Sequence, residues 1–169
     1  MKKTTLSLIT LFCLLFSASG HAEQLNFKIP KGYKIAYKNQ NNNQSIIEFI
    51  RRNESLKNWT RMVTIQTFQY IKDYEPEPFI LSMAKLAERQ CDKTQLFPVK
   101  NGQQNGFQFS QKVISCDPNK FTGKPETMNI KAIKGKNKFY VAQVSNRVEM
   151  NEKEMKYWSF YLRDITIRK

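Results

Sequence analysis

Histidine is nearly absent from this 169-residue chain, because its single copy, His21, lies in an amino-terminal segment that we predict to be cleaved. Without an imidazole, the mature chain has no base for Ser-His-Asp or Cys-His catalysis and no histidine ligand for zinc or iron. The sequence also has no G-x-x-x-x-G-K, G-x-G-x-x-G or G-x-S-x-G motif, so nucleotide binding and α/β-hydrolase chemistry lack support. We therefore expect no metal, no cofactor and no catalytic residue.

Long apolar runs are also absent, apart from residues 6–16 near the amino terminus. Two lysines precede this run, and the small residues Gly20 and Ala22 follow it, which is the order of a secretory signal peptide. The run is shorter than the roughly 20 apolar residues of a membrane-spanning helix. We predict cleavage after Ala22, a mature domain over residues 23–169 without a transmembrane segment, and a location in the periplasm or outside the cell.

Cysteine is scarce, and one of its three copies, Cys13, falls within the predicted signal peptide. The remaining pair, Cys91 and Cys116, would reach an oxidising compartment, where an even pair usually forms a disulfide. We predict a Cys91–Cys116 bridge, whose loop of about 26 residues would stabilise the fold by ~3.5 kcal/mol on a chain-entropy estimate. A metal or redox pair is the alternative, and the wide spacing disfavours it because it is far from C-x-x-C.

Acidic residues are few, with 14 Asp or Glu against 28 Lys or Arg. Loss of residues 1–22 removes two lysines, so the mature chain has 26 basic and 14 acidic side chains and a net charge of +12. Its 147 residues suit one domain with its own hydrophobic core. So large a positive charge favours an anionic partner.

The mature chain alternates between strand-like and helix-like patterns. Apolar residues recur at helical spacing over residues 78–90, and Asn151 with Glu154 has the spacing of a capping box before a second helix. In the third strand-like segment the apolar residues are first odd-numbered and then even-numbered, so the apolar face switches sides. This switch predicts a bulge near Gln66 or Thr67. Strand-like segments lie at residues 35–37, 45–50, 61–71, 96–99, 107–116, 128–133 and 140–148.

The resulting order, β-β-β-α-β-β-β-β-α, predicts an α+β fold in which two helices cover a largely antiparallel sheet of six to seven strands. Val148 is expected to point inward from the last strand, and the last helix is expected to bury the stripe Met155, Trp158, Leu162 and Ile165. The order and spacing resemble the PsbP-like fold. This likeness in architecture implies no particular activity.

The segment from Trp59 to Phe68 has the pattern W-T-x-M-V-T-x-Q-x-F. Together with the cysteine pair, the Lys-Ala-Ile-x-Gly stretch at residues 131–135 and the terminal helix, this segment resembles a group of small exported proteobacterial proteins. The Asn- and Lys-rich composition is similar to that of Legionella proteins, which implies a type II secretion substrate with a role in infection. The resemblance implies no catalytic residue.

Lysines are concentrated between residues 120 and 138, where six stand against one acid. Lys134, Lys136 and Lys138 crowd the tip of a predicted hairpin, and Lys131 precedes it. Such a tip can present ammonium groups to the phosphate or carboxylate groups of a lipid or glycan. The alternative is that these lysines only solvate the surface and protect a sheet edge from aggregation.

Two further features could contact a ligand. Arg51 and Arg52 end the second predicted strand, where one guanidinium could grip an anion in a bidentate way or both could face solvent. Trp59 could stack on a sugar ring or could anchor the packing of its strand.

We expect a non-enzymatic exported protein that binds an anionic partner, either a phosphoinositide-containing membrane or an acidic glycan. The expected contacts are Lys131, Lys134, Lys136, Lys138, Arg51 and Arg52. Nucleic acid is disfavoured because the chain has no RNA-binding aromatic signature and no helix-turn-helix. Two alternatives stay open, namely a periplasmic envelope-associated factor and a hydrolase with paired carboxylates. The acids available to a hydrolase are Glu48, Glu54, Asp73, Glu75, Glu77 and Glu88.

Overall fold

A computed structural model describes residues 23–69 and 73–168, so the predicted signal peptide and the end of the predicted third strand beyond residue 69 lie outside the described residues. Neither helix in this part of the chain is long and apolar enough to cross a membrane. The helices are α1 (Pro76–Gln90) and α2 (Glu152–Asp164). The strands are β1 (Gln24–Asn26), β2 (Tyr33–Gln40), β3 (Gln44–Arg51), β4 (Arg61–Gln69), β5 (Cys91–Gln104), β6 (Phe107–Asn119), β7 (Lys124–Lys134), β8 (Lys138–Asn146) and β9 (Thr166–Arg168).

Seven strands form one antiparallel sheet in the order β2-β3-β4-β8-β7-β6-β5. The short strands β1 and β9 pair with each other in a second sheet, which joins the two ends of the described chain. The expected α+β class, with two helices on a largely antiparallel sheet, is confirmed. Sequence patterns missed β1 and β9 because three residues are too few to show a period.

Each helix covers a different face of the large sheet. Trp158 and Leu162 of α2 pack with Val63 and Ile65 on one face. Ile80, Ala84 and Ala87 of α1 pack on the other face, in a second core cluster that includes Ile130, Ala132 and Phe139. The central strands are consequently buried on both faces, and both helices pack against β7 and β8.

The predicted bulge in β4 is wrong. The register of β4 runs without a shift from Arg61 to Gln69 against β8, and it is equally regular against β3. Val63 and Ile65 face the α2 cluster, and Phe68 faces the α1 cluster. Because both faces of this strand are covered, apolar residues are needed on each of them. The switch of the apolar residues from one face to the other therefore requires no bulge.

The two predicted helices are confirmed, and α1 begins two residues earlier than expected, at Pro76. The capping box at the start of α2 is present, with the Asn151 side chain accepting from the Glu154 backbone N–H. Val148 and Met155 are not buried as expected, being 42% and 46% exposed. Val148 follows the end of β8, where strand alternation no longer applies, and both residues line a 370 Å³ cleft instead of the core.

The predicted disulfide between Cys91 and Cys116 is present and links β5 to β6. These two strands are joined by a tight turn at Asn105-Gly106, where both residues have positive φ, 55° and 81°. Glycine reaches this region without strain, and asparagine tolerates it better than most residues do. The other Asn-Gly pair, at residues 101–102, lies within β5 and forms no turn.

The antiparallel register places successive turns at opposite ends of the large sheet. The Lys136 end carries the β5–β6 turn at residues 105–106 and the β7–β8 turn at residues 135–137. The Phe121 end carries the β6–β7 turn at residues 120–123. Strand β7 has 11 residues, so at about 3.3 Å per residue the two ends lie roughly 35 Å apart.

Candidate functional site

The fold divides the basic residues that the sequence grouped together. Lys134, Lys136 and Lys138 lie at the Lys136 end, where β7 ends and β8 begins. Arg51 and Arg52 lie at the Phe121 end, because Ile50 pairs with Met62 near the start of β4. The length of the sheet therefore separates the two arginines from the lysine tip, and these residues do not form one site.

Lys131 is a correction to the predicted set of anion ligands. Its side chain is fully buried between the sheet and the end of α2. The ammonium donates to Gln104 Oε1 at 2.7 Å and to the backbone oxygens of Arg163 and Ile165 at 2.9 and 2.7 Å. All three N–H groups have acceptors, and a ligand from solvent cannot reach them.

The β7–β8 turn already binds a carboxylate. Glu23 Oε2 accepts from the backbone N–H of Lys136 at 2.8 Å, and Glu23 Oε1 accepts from the backbone N–H of Asn137 at 3.3 Å. The Tyr140 hydroxyl lies 3.5 Å from the same Oε1, and burial together with the Glu23 charge raises the pKa of Tyr140. Successive backbone N–H groups that converge in a turn are a common anion-binding arrangement. At this turn the anion comes from the chain itself.

Gly135 makes room for this contact. A Cβ atom on Gly135 would lie 2.7 Å from the backbone oxygen of Lys138 and would collide with the Glu23 carboxylate. Strand β1 pairs with β9 and thereby holds the neighbouring residue Gln24 in place. No sequence pattern links Glu23 to a turn more than a hundred residues away, and only the requirement for glycine at position 135 hints at a close approach.

The three lysines of the tip differ in their surroundings. Lys134 forms an ion pair with Glu75, which precedes α1. Lys136 is exposed, and among the described residues no carboxylate pairs with its ammonium. Lys138 begins β8 and is half-buried. Lys136 is therefore the tip cation that is most available to a ligand.

A small cleft of 230 Å³ opens beside this tip, between the β5–β6 turn and the β7–β8 turn. One wall comes from the β7–β8 turn and its lysines, and the other comes from the β5–β6 turn and the start of β6. The lining residues are Gly106, Phe107, Gln108, Lys134, Gly135 and Lys136. Of its two lysines, Lys134 is paired with Glu75 and Lys136 has no carboxylate partner among the described residues, and Gln108 adds a side-chain amide. This combination suits an acidic, hydrogen-bonding group.

A larger neighbouring cleft of 530 Å³ shares Gln108 with the first one. A chain of hydrogen bonds lines it: Ser110 Oγ donates to Asn101 at 2.8 Å, and Asn101 Nδ2 donates to Glu77 Oε2 at 2.9 Å. The buried Lys112 pairs with Glu77 at 2.6 Å. A cleft of this size, with amide, hydroxyl and carboxylate groups on a mainly apolar surface, can hold a small molecule that has both polar groups and apolar faces, as sugars do.

Two of the six acids considered for hydrolysis, Glu75 and Glu77, line the larger cleft. Each one is paired with a lysine, and the hydrogen bond from Lys112 lowers the pKa of Glu77. A general acid of a glycosidase needs a raised pKa instead. Burial does raise the pKa of Glu48, but this residue lies on β3 and lines neither cleft.

Trp59 takes part in packing at the Phe121 end. The Arg147 guanidinium lies over its ring, 3.9 Å from the ring centroid, and Arg147 Nε donates to Glu126 Oε1 at 2.7 Å. A ring face covered by a guanidinium is not free to stack on a sugar. The described residues also contain no cluster of three His, Cys, Asp or Glu side chains that could hold a metal ion.

Comparisons with known proteins give likenesses of architecture. No family model matches the chain, and no curated protein matches it. The Ran-binding protein Mog1p of Saccharomyces cerevisiae matches with 12% identity and a TM-score of 0.49, covering 81% of this chain and 78% of that one. LpqN, involved in cell envelope biogenesis of Mycobacterium tuberculosis, matches with 13% identity and a TM-score of 0.44, covering 90% of this chain and 88% of that one. At these values neither likeness carries an argument about function, and the family resemblance seen in the sequence stays a prediction.

Proposed function

We propose that this chain is an exported, non-enzymatic binding protein that takes an acidic group of a glycan into the cleft at the Lys136 end. The observation that carries the proposal is the bound carboxylate of Glu23, held by two backbone N–H groups beside the unpaired ammonium of Lys136. The same turn chemistry that holds this carboxylate would hold a uronate carboxylate or a sugar phosphate.

The shape of the site favours a glycan over a membrane surface. Lys134 and Lys136 line a cleft next to a second, larger cleft that carries polar groups on a mainly apolar surface, and Gln108 lines both clefts. At roughly 1 kcal/mol per basic residue, two or three lysines alone give only weak affinity for an anionic surface. Amide and hydroxyl contacts along the neighbouring cleft would add the remaining affinity and would select a sugar.

Export completes the proposal. The predicted signal peptide and the Cys91–Cys116 disulfide both suit an oxidising compartment outside the cytoplasm. The proposed destination is the extracellular medium, through type II secretion during infection. Retention in the periplasm, tested by fractionating cells and culture supernatant, would instead favour the envelope-associated alternative.

The test is calorimetric titration of the exported, disulfide-bonded protein with a tetramer of galacturonic acid and with a neutral galactose tetramer. We expect binding of the acidic tetramer alone. Lys136→Glu should weaken binding at least tenfold, since it replaces the free cation by a repelling charge. Glu23→Ala should strengthen binding severalfold, because it frees the two backbone N–H groups.

Lys85→Glu is the matched control, since Lys85 is exposed on α1 and its reversal changes the net charge equally. Equal binding by wild type and Lys136→Glu would exclude the proposed cleft. Vesicles with phosphatidylinositol bisphosphate form a second arm, and binding there that needs Lys136, without glycan binding, would identify a lipid headgroup as the ligand. New reducing ends in the titration mixture would show that the glycan is cleaved, which would favour the hydrolase alternative over the binding proposal.

A further inference from the structure

Phe121 is the most exposed large apolar side chain among the described residues, with 81% of its surface open to solvent. It sits in the middle of the β6–β7 turn, about 35 Å from the glycan cleft proposed above. An aromatic side chain in this position contributes nothing to the core of the fold. Burial of such a ring against a partner would recover apolar surface that folding leaves in water.

The turn that carries Phe121 is firmly built. The side chain of Asn119 is buried and accepts a hydrogen bond from the Phe121 backbone N–H at 2.9 Å. The backbone oxygen of Asn119 accepts from the N–H groups of Thr122 and Gly123 at 3.2 and 2.7 Å, and Gly123 has a φ of 64°. Lys120 N–H donates to the backbone oxygen of Gln90 at 2.8 Å, which ties the turn to the end of α1. The exposed ring is therefore held outward by a fixed turn.

Two lysines lie on either side of the exposed ring in the sequence. Lys120 and Lys124 flank the turn, and both side chains are exposed. Lys120 has one weak partner, the Asp92 carboxylate at 3.9 Å. The side chains of Lys120 and Asp92 are 50% and 59% exposed. Exposed pairs of this kind contribute little, so both ammonium groups stay available to an anion.

We propose that the β6–β7 turn is a peripheral contact for an anionic lipid bilayer, with Phe121 entering the interfacial region and Lys120 and Lys124 meeting lipid phosphates. Phe121 is largely open to solvent and Lys120 and Lys124 are exposed on either side of it, which fits a broad anionic surface. Aromatic rings prefer the interface between headgroups and acyl chains, and lysines add attraction to anionic lipids. Val148 and Met155 line a separate cleft beside Asp117 and Glu149, so the proposed contact does not include them.

This contact would orient the molecule on a membrane. With the Phe121 end on the lipid, β7 carries the Lys136 end roughly 35 Å away from the surface, where its clefts face the aqueous phase. The bilayer contact and the glycan cleft then use different residues, so one can fail in an experiment without the other.

The experiment is co-sedimentation of the exported protein with sucrose-loaded vesicles of phosphatidylcholine and phosphatidylserine at 3:1, and with phosphatidylcholine vesicles alone. We expect sedimentation with the anionic vesicles that weakens as salt rises. Phe121→Ala should lower the partition coefficient about tenfold, and Lys120→Gln with Lys124→Gln should lower it about twentyfold. A Phe121→Trp variant should gain a blue-shifted emission on anionic vesicles, measured as a difference against wild type.

Phe160→Ala is the matched control, because Phe160 is an exposed phenylalanine of α2 and its loss should leave sedimentation unchanged. Lys136→Glu should also sediment like wild type, which separates this proposal from the glycan cleft. Sedimentation of Phe121→Ala at the wild-type level, or no sedimentation of wild type with anionic vesicles, would overturn the proposal. Concentration-dependent self-association that Phe121→Ala abolishes would assign the turn to a second copy of the chain instead.

Discussion

The ammonium of Lys131 donates a 2.7 Å hydrogen bond to the backbone oxygen of Ile165, immediately after the end of α2. A second bond reaches the backbone oxygen of Arg163, so one side chain from the sheet satisfies two carbonyl groups at the carboxyl end of the helix. The last carbonyls of a helix have no partner within the helix and carry its negative dipole end. Lys131 thus fixes α2 to the sheet, although its sequence position suggested a surface cation.

Replacement of Lys131 by Met should destabilise the protein strongly. Met retains much of the apolar length of lysine but leaves the Arg163 and Ile165 carbonyl oxygens and the Gln104 amide without this donor. We expect a loss of about 2–4 kcal/mol in the free energy of unfolding, measured by urea denaturation. Lys85→Met on the exposed face of α1 should change it by less than about 0.5 kcal/mol. Equal stability of the two variants would contradict the anchoring role of Lys131.

Lys131 should also give the stability a distinctive dependence on pH. Burial lowers its pKa to about 8, below the ordinary value of 10.5 that the unfolded chain retains. Between these values the unfolded chain binds more protons than the folded chain, so the contribution of Lys131 to stability rises with pH and is smallest below pH 8. The stability of wild type relative to Lys131→Met should therefore increase between pH 8 and 10.5, by about 1–3 kcal/mol. A difference that is constant or falls over this range would contradict the lowered pKa.

Local patterns were sufficient to predict the helices and most of the strands. The capping box of Asn151 and Glu154 depends on residues three apart, and the apolar spacing of α1 depends on residues within four turns. The cysteine pair could be assigned because export leaves only two candidates. These features need no knowledge of what packs on the sheet.

The candidate site could not be predicted in the same way because its contacts are not local. Because successive residues of β7 point to opposite faces of the sheet, Lys131 lies on the face away from Ile130 and Ala132. The face that carries Lys131 would be solvated only if the sheet were covered on one side. The end of α2 covers it instead, more than thirty residues further along the chain. Likewise, the six lysines are neighbours in the sequence, but strand β7 separates those near residue 120 from those near residue 136, and Lys131 is buried between the two groups.

Removal of the disulfide should cost stability without changing the fold. The bridge joins the first residue of β5 to β6 and closes a loop that includes β5, the turn and most of β6. Replacing both Cys91 and Cys116 by Ser should lower the free energy of unfolding by about 2–4 kcal/mol, measured by urea denaturation. Far-ultraviolet circular dichroism should stay at the wild-type level, because the antiparallel pairing of β5 and β6 does not depend on the bridge. A loss of strand signal in the folded baseline would show that the bridge is needed for the pairing itself.

Gly135→Ala tests the carboxylate contact at the β7–β8 turn. The new methyl group would collide with the Glu23 carboxylate and with the backbone oxygen of Lys138, which would lie 2.7 Å away. Glu23 can move, but the Lys138 oxygen belongs to the turn, where it accepts from the Gly135 N–H at 2.9 Å. We therefore expect a loss of about 1–3 kcal/mol on urea denaturation, of which Glu23→Ala in the same chain recovers only a part.

Gly102→Ala is the matched control for this last prediction, because its methyl group would meet the Phe109 ring at an ordinary contact distance of 3.6 Å. Its stability should stay within about 0.5 kcal/mol of wild type. Complete recovery of Gly135→Ala by Glu23→Ala would mean that the turn backbone adjusts freely and that the side chain of Glu23 alone requires the glycine. Equal stability of Gly135→Ala and wild type would mean that Glu23 is not held against the turn in solution, and the observation behind the proposed anion site would be lost.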